Sequence, residues 1–364
     1  MTGAITSTSP GRLGRAALPI VAILVFAGGI GIALAVAGDT LGFDFRAYHQ
    51  AARRLLDGGP LYITDFTAIG PFGLYLYPPT AILLVLPLAL LTEATAVLAW
   101  TALMVAAFVV GVLVLPVSRT VRWWIVLLAG LSWPFVYAIK LGQVGPLLFL
   151  TFAVGWRWLD DPIRLGASAA VGSALKLQPG LVFVWAALTG RWRALGIGVV
   201  ILAALAVVAT VLAGPSAWLD FLSVIRTIAE PITTPNNVTP GAVAYQAGLS
   251  TEVATAIQIA SDVAALLVVV VAARRATAEA AYLVTVVASQ LLSPVLWNHY
   301  ALLLLLPVAY LLAAGRWWAL AFPLVTATPL IGLTPLAAYP IAFWATLLAV
   351  LIVGVRARAT EVRA

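Results

Sequence analysis

Few side chains in this chain could move a proton or hold an anion, and four of them, Asp44, Lys140, Lys176 and His299, stand at the edges of apolar runs. Asp44 opens the first polar stretch, Gly42-Phe43-Asp44-Phe45-Arg46-Ala47-Tyr48-His49, which continues to Tyr77-Pro78-Pro79. A carboxylate at a water boundary can act as a general base. After it, Ala47, Ala51, Ala52, Leu55 and Leu56 recur at helical spacing until Asp57-Gly58-Gly59-Pro60 stops the pattern. That places Asp44 near the N-terminus of a short amphipathic helix, where a carboxylate also complements free N–H groups. Local pattern alone leaves both roles open.

The chain has 18 arginines and two lysines, Lys140 and Lys176, so wherever a generic cation suffices arginine is used. Both lysines sit at helix ends, in Lys140-Leu141-Gly142-Gln143 and Lys176-Leu177-Gln178-Pro179. A compact ammonium suits a phosphate, and a basic residue at an interface also serves as a snorkelling anchor. His299 lies in Ser293-Pro294-Val295-Leu296-Trp297-Asn298-His299-Tyr300, a composition that also fits an aromatic belt. With no cysteine and only His49 and His299, no histidine–cysteine metal site is expected, and the expected cofactor set is empty. No phosphate-binding glycine loop, dinucleotide fingerprint or Gly-x-Ser-x-Gly elbow is present, so a nucleotide-driven enzyme is not expected.

The elements that must position these residues are membrane helices. Hydrophobic residues make up 63% of the chain and charged ones 9%, and apolar runs of 18 or more residues recur. The net charge of +7 punctuates the gaps between runs instead of forming a stripe, which argues against nucleic acid and for charge-biased membrane topology. The expected fold is an all-α polytopic membrane protein of about 10–12 transmembrane helices. Candidate spans lie at about 17–37, 94–115, 123–139, 144–158, 163–176, 177–190, 194–213, 254–273, 279–297, 300–314, 317–333 and 336–354, with 78–91 as a re-entrant or juxtamembrane helix. The first run reads as an uncleaved span. With the N-terminus inside, 14 of the 20 basic residues fall on the cytoplasmic side, and Asp44, both lysines and His299 share the outer face. Residues 1–16, of which Thr2 to Gly14 are expected to be disordered, and 356–364 read as cytoplasmic tails. Residues 17–355 read as one catalytic domain with external loops at about 38–93 and 214–253, the second an ordered loop of turns.

Asp44-x-x-x-Tyr48, the Ala-rich stretch to Gly58-Gly59-x-Leu61-Tyr62, Tyr77-Pro78-Pro79, Gly142-Gln143, Lys176-x-Gln178-Pro179 and Ser293-Pro294-x-x-x-x-His299-Tyr300 occur in that order. Together they resemble glycosyltransferase family 87, over roughly Gly42 to Leu306, and within it the mycobacterial phosphatidylinositol-mannoside mannosyltransferases. The resemblance implies a GT-C-like bundle in a bacterial plasma membrane with its active site on the extracytoplasmic side. It implies transfer of a sugar, mannose or in some members arabinofuranose, from a polyprenyl-phosphate donor to a glycolipid or glycan acceptor, with inversion. By that analogy Asp44 is the general base, and Lys176 and Lys140, with Arg53 or Arg54, hold the donor phosphate. His299 positions donor or acceptor, Tyr48, Gln143 and Gln178 bond sugar hydroxyls, and Tyr77 belongs to the substrate-binding set. A lipid-linked-sugar transporter or flippase is the main rival reading, beside an accessory or inactive membrane homologue and a different GT-C enzyme. It predicts internal repeats and midplane charges, whereas here the ionisable residues collect at one face.

Overall fold

The computed structural model describes residues 12–65, 72–228 and 230–361. Among the described residues the chain is helical, with one isolated antiparallel bridge between Ser132 and Ala327 in place of any sheet. The chain is an all-α polytopic membrane protein. Among the described residues, five helices are long and apolar enough to cross a bilayer alone: Ala17–Thr40, Glu93–Val114, Trp192–Ala213, Thr251–Arg275 and Ala338–Glu361.

The other segments expected as spans are shorter. Pro162–Leu175 and Ala278–Leu291 have 14 residues each, about 21 Å of helix against a hydrocarbon core of about 30 Å. Short helices persist where surrounding protein satisfies their freed backbone ends, and Ala280 through Leu291 are all buried. The expected span at 123–139 is two helices, Arg119–Leu131 and Trp133–Leu141. They part at Ser132, where the Trp133 N–H turns to the Thr326 carbonyl at 3.1 Å. Residues 317–333 are three short turns, Trp317–Leu320, Ala321–Leu324 and Thr328–Leu330, because Pro323 and Pro329 lack the N–H a continuous helix needs.

Residues 78–91 form turns of at most four residues, Pro79–Ala81, Ile82–Val85 and Leu88–Leu90, too short for a full span. Thr80 Oγ1 ties them to the Ala174 carbonyl at 2.6 Å. The loop at 214–253 does contain turns, but it opens with the 13-residue helix Ser216–Ile228, which the sequence reading missed, and later holds Pro240–Gln246. Its prolines at 231, 235 and 240 all follow the first helix and so do not break it. Of the expected tails, residues 1–11 and 362–364 lie outside the described residues, 12–16 begin the helix Arg12–Ala37, so the expected disorder does not hold for 12–14, and 356–361 continue the last helix.

The amphipathic helix expected after Asp44 is Phe43–Leu56, burying Phe45, Ala47, Tyr48, His49, Ala51 and Ala52. Polar ties add to this. Arg46 pairs with Glu93 at 3.0 Å, and His49 Nε2 lies 3.3 Å from the Leu91 carbonyl oxygen. The ion pair is partly exposed and contributes at most about 1 kcal/mol, so the buried face does more to seat the helix.

A second clasp holds the segment before His299. Asn237 is fully buried and uses its whole hydrogen-bonding capacity. Its Nδ2 donates to the Pro231 and Pro294 carbonyls at 2.7 and 3.2 Å, and its Oδ1 accepts from the Thr239 and Leu296 N–H groups at 3.0 and 2.9 Å. Asn237→Leu strands these four backbone groups and destabilises the protein by about 3–5 kcal/mol. Thermal unfolding in detergent shows a lowered midpoint; an unshifted midpoint would contradict the clasp.

Candidate active site

Two glycines bring distant segments together. Gly42, at φ 70°, starts the helix Phe43–Leu56, and its N–H donates to the Lys140 carbonyl at 2.8 Å. Gly142, also at φ 70°, ends Trp133–Leu141, after which the chain bends by 118° into Gly145–Arg157. A Cβ on Gly142 would lie 2.8 Å from Phe45 Cβ, in a conformation side chains rarely adopt. Trp100 Nε1 donates to the Gly142 carbonyl at 2.7 Å, and the indole stacks on Phe45 at 4.7 Å. This sharp hinge sets Gln143 beside Asp44.

Gln143 Nε2 donates to Asp44 Oδ2, and Gln143 Oε1 accepts from the Tyr77 hydroxyl at 2.7 Å. Asp44 occupies the first turn of its helix while its side chain accepts from Gln143, so its dipole placement and its engagement by Gln143 coexist. Burial pushes the Asp44 carboxyl above the ordinary carboxylate range, while the Gln143 hydrogen bond and the charge of Lys176 draw it back.

Lys176 follows Pro162–Leu175 in extended conformation, at the apex of the expected hairpin. Its Nζ lies 3.7 Å from the Tyr300 ring centroid and 5.5 Å from that of Tyr77. Among the described residues no ion pair holds it, so the aromatic faces steady the ammonium. Lys140 Nζ lies 5.6 Å from the Tyr137 ring. Gln178 Nε2 donates to Ser293 Oγ at 2.7 Å. His299 is buried beside Tyr300 and Tyr137, at ring distances of 4.9 and 6.1 Å, and neither ring nitrogen has a partner within the described protein.

Asp44, Tyr48, Tyr77, Lys140, Gln143, Lys176, Gln178 and His299 all line one cavity of about 890 Å³. Arg53 and Arg54 do not. Arg53 stands nine residues after Asp44, about 180° around the helix, and donates to the Ala89 carbonyl at 3.2 Å. Arg54 donates to the Leu61 carbonyl at 3.0 Å. Both brace the loop, whereas Tyr48, about 40° from Asp44 around the helix, shares its face.

Residues 75–294 match the sequence model of glycosyltransferase family 87. This chain belongs to that family. No curated protein and no solved structure matches it. The family-87 chain is therefore a membrane glycosyltransferase. The matched span contains Tyr77, Lys140, Gln143, Lys176 and Gln178, while Asp44 and His299 flank it and join the cavity through the fold.

Some lining residues were missed. Tyr137 precedes Lys140 by one helical turn, and that i, i+3 spacing could have found it. Tyr300 and Ser293 were part of a quoted motif without roles of their own. Phe221 and Ile225 reach the cavity from Ser216–Ile228, a helix whose docking no local spacing announces.

Proposed function

We propose that this glycosyltransferase moves a sugar, mannose in the first instance, from a polyprenyl-phosphate donor to a lipid-linked or glycan acceptor. The reaction occurs at the extracytoplasmic face of a bacterial plasma membrane, within a single catalytic domain spanning 17–355. The observation that supports this most is the shared cavity. Asp44, both lysines and His299 meet there, and Leu74, Leu76, Leu177, Leu181 and Ile225 form much of the remaining wall. Cations beside an apolar wall suit a phosphate esterified to hydrocarbon.

In this reading Asp44 takes the proton of the acceptor hydroxyl as that oxygen bonds to the anomeric carbon. The carbon–oxygen bond to phosphate breaks, its electron pair stays on the leaving polyprenyl phosphate, and Lys176 with Lys140 stabilises the charge. His299 offers its ring nitrogens to donor or acceptor, and Gln178 and Tyr48 face the sugar. The test is transfer by purified protein from radiolabelled polyprenyl-phosphate mannose and from the arabinose analogue. Transfer from the mannosyl donor is expected; none from either would overturn the reading.

The buried carboxylate carries a pH signature. A base works deprotonated, so transfer falls as pH drops through the Asp44 pKa, which burial raises. The acid limb of kcat/KM therefore lies above the ordinary aspartate range of about 4. A limb at or below that range would contradict Asp44 as the base.

A further inference from the structure

The side chain best placed to act on Asp44 is neither charged nor free to bind sugar. We infer that Gln143 is a positioning residue that holds the Asp44 carboxylate, and that Tyr77 anchors the other end of the Gln143 amide. This replaces the sugar contact expected of Gln143, and it rests on the transferase reading for its effect on rate.

An amide can present either its oxygen or its NH₂, and the surrounding hydrogen bonds decide which. An ionised carboxylate only accepts, so Asp44 Oδ2 takes the Gln143 NH₂, and the Tyr77 hydroxyl donates to Gln143 Oε1 at 2.7 Å and anchors the other end of the amide. Tyr77 is itself buried, its ring 4.8 Å from that of Tyr48, and its carbonyl accepts from the Tyr62 hydroxyl at 2.6 Å. Gly142 and Trp100 hold the backbone under Gln143. The chain of donors thus runs from Tyr77 through Gln143 to one carboxylate oxygen, leaving the other oxygen to receive the acceptor proton. A flipped amide would set its oxygen against a carboxylate oxygen, a repulsive contact, so the carboxylate fixes the orientation of the amide and the Tyr77 bond holds its position.

The titratable groups that face Asp44 come from several elements. Tyr48 stands on its own helix, Tyr77 on the strap before Pro78, Tyr137 on Trp133–Leu141, Lys176 after Pro162–Leu175, and Tyr300 on the turn after Trp297. Lys140 and His299 line the same cavity. Only Gln143 is hydrogen-bonded to the carboxylate among the described residues.

The experiment compares wild type, Gln143→Met, Tyr77→Phe and the double variant, all in detergent. Infrared difference spectroscopy follows the Asp44 carboxyl through a pH titration, with Asp44→Asn identifying its band. Gln143→Met moves the titration to higher pH, Tyr77→Phe moves it in the same direction, and the double variant matches Gln143→Met alone because the two residues act as one unit. In turnover, Gln143→Met lowers kcat about 10–100-fold with donor KM unchanged, and the acid limb follows the titration. An unmoved titration in Gln143→Met, or additive shifts in the double variant, would overturn the inference. So would a raised donor KM with kcat and the acid limb unchanged. The titration needs no substrate, so a protein that transfers nothing but shows the shift defeats the transferase reading and not the link between these residues.

Discussion

Asp44→Asn lowers kcat for sugar transfer by about 10²–10⁴-fold, the usual contribution of a positioned general base. Asparagine has nearly the same shape, and its amide oxygen can accept from Gln143 Nε2 as Oδ2 does, so the helix Phe43–Leu56 keeps its seat on Phe45, Tyr48 and Ala51. What is lost is the lone pair that takes the acceptor proton. Donor affinity stays within a few-fold, because Lys176 and Lys140 remain. Steady-state kinetics together with donor binding to the variant check this. A variant that turns over normally would remove Asp44 from the chemistry, and one that no longer binds donor would make it a binding group instead.

Lys176→Met produces the second large effect, a fall in kcat of about 10²–10³-fold, comparable to removing one fixed group that stabilises developing charge. Methionine approximates the stem of the lysine and keeps contact with the Tyr300 and Tyr77 rings, so packing is largely spared while the charge is removed. The loss falls on the leaving group, and donors with a more acidic phosphate leaving group are less affected. Lys176→Arg restores only part of the rate. Its guanidinium is broader and planar, and the site is shaped by a ring 3.7 Å from a compact ammonium. Equal kinetics in Lys176→Met and wild type would show that the phosphate is held elsewhere.

Much of the site was legible because rare residue types mark it. In a chain that writes arginine almost everywhere, two lysines at helix ends were informative, and both reach the cavity with Asp44 and His299. The arginines misled for the complementary reason. Arg53 and Arg54 belong to the same polar stretch as Asp44, but Arg53 lies about 180° around the helix and Arg54 about 15 Å along its axis, and both donate to backbone carbonyls. The role of Gln143 was beyond local pattern, since it depends on a hinge at Gly142, a hydroxyl 66 residues away in sequence and a carboxylate 99 residues away.

For the fold, long apolar runs read correctly where lipid-facing spans such as Trp192–Ala213 and Thr251–Arg275 carry them. Other apolar runs read as spans too, and there the expectation failed, both in 123–139, where many residues are buried, and in 317–333, where most are exposed. Residues 317–333 became turns, and 123–139 became two helices. Hydropathy reports burial in an apolar medium and cannot tell lipid from neighbouring helices.

The central claim is a single displacement in which one carboxylate deprotonates the acceptor while the lysines receive the leaving phosphate. The anomeric configuration of the transferred sugar, read by NMR on product made from a donor of known configuration, tests it most directly. Inversion is the predicted result. Retention would require a covalent glycosyl intermediate, turning Asp44 or another group into a nucleophile, and would contradict the account.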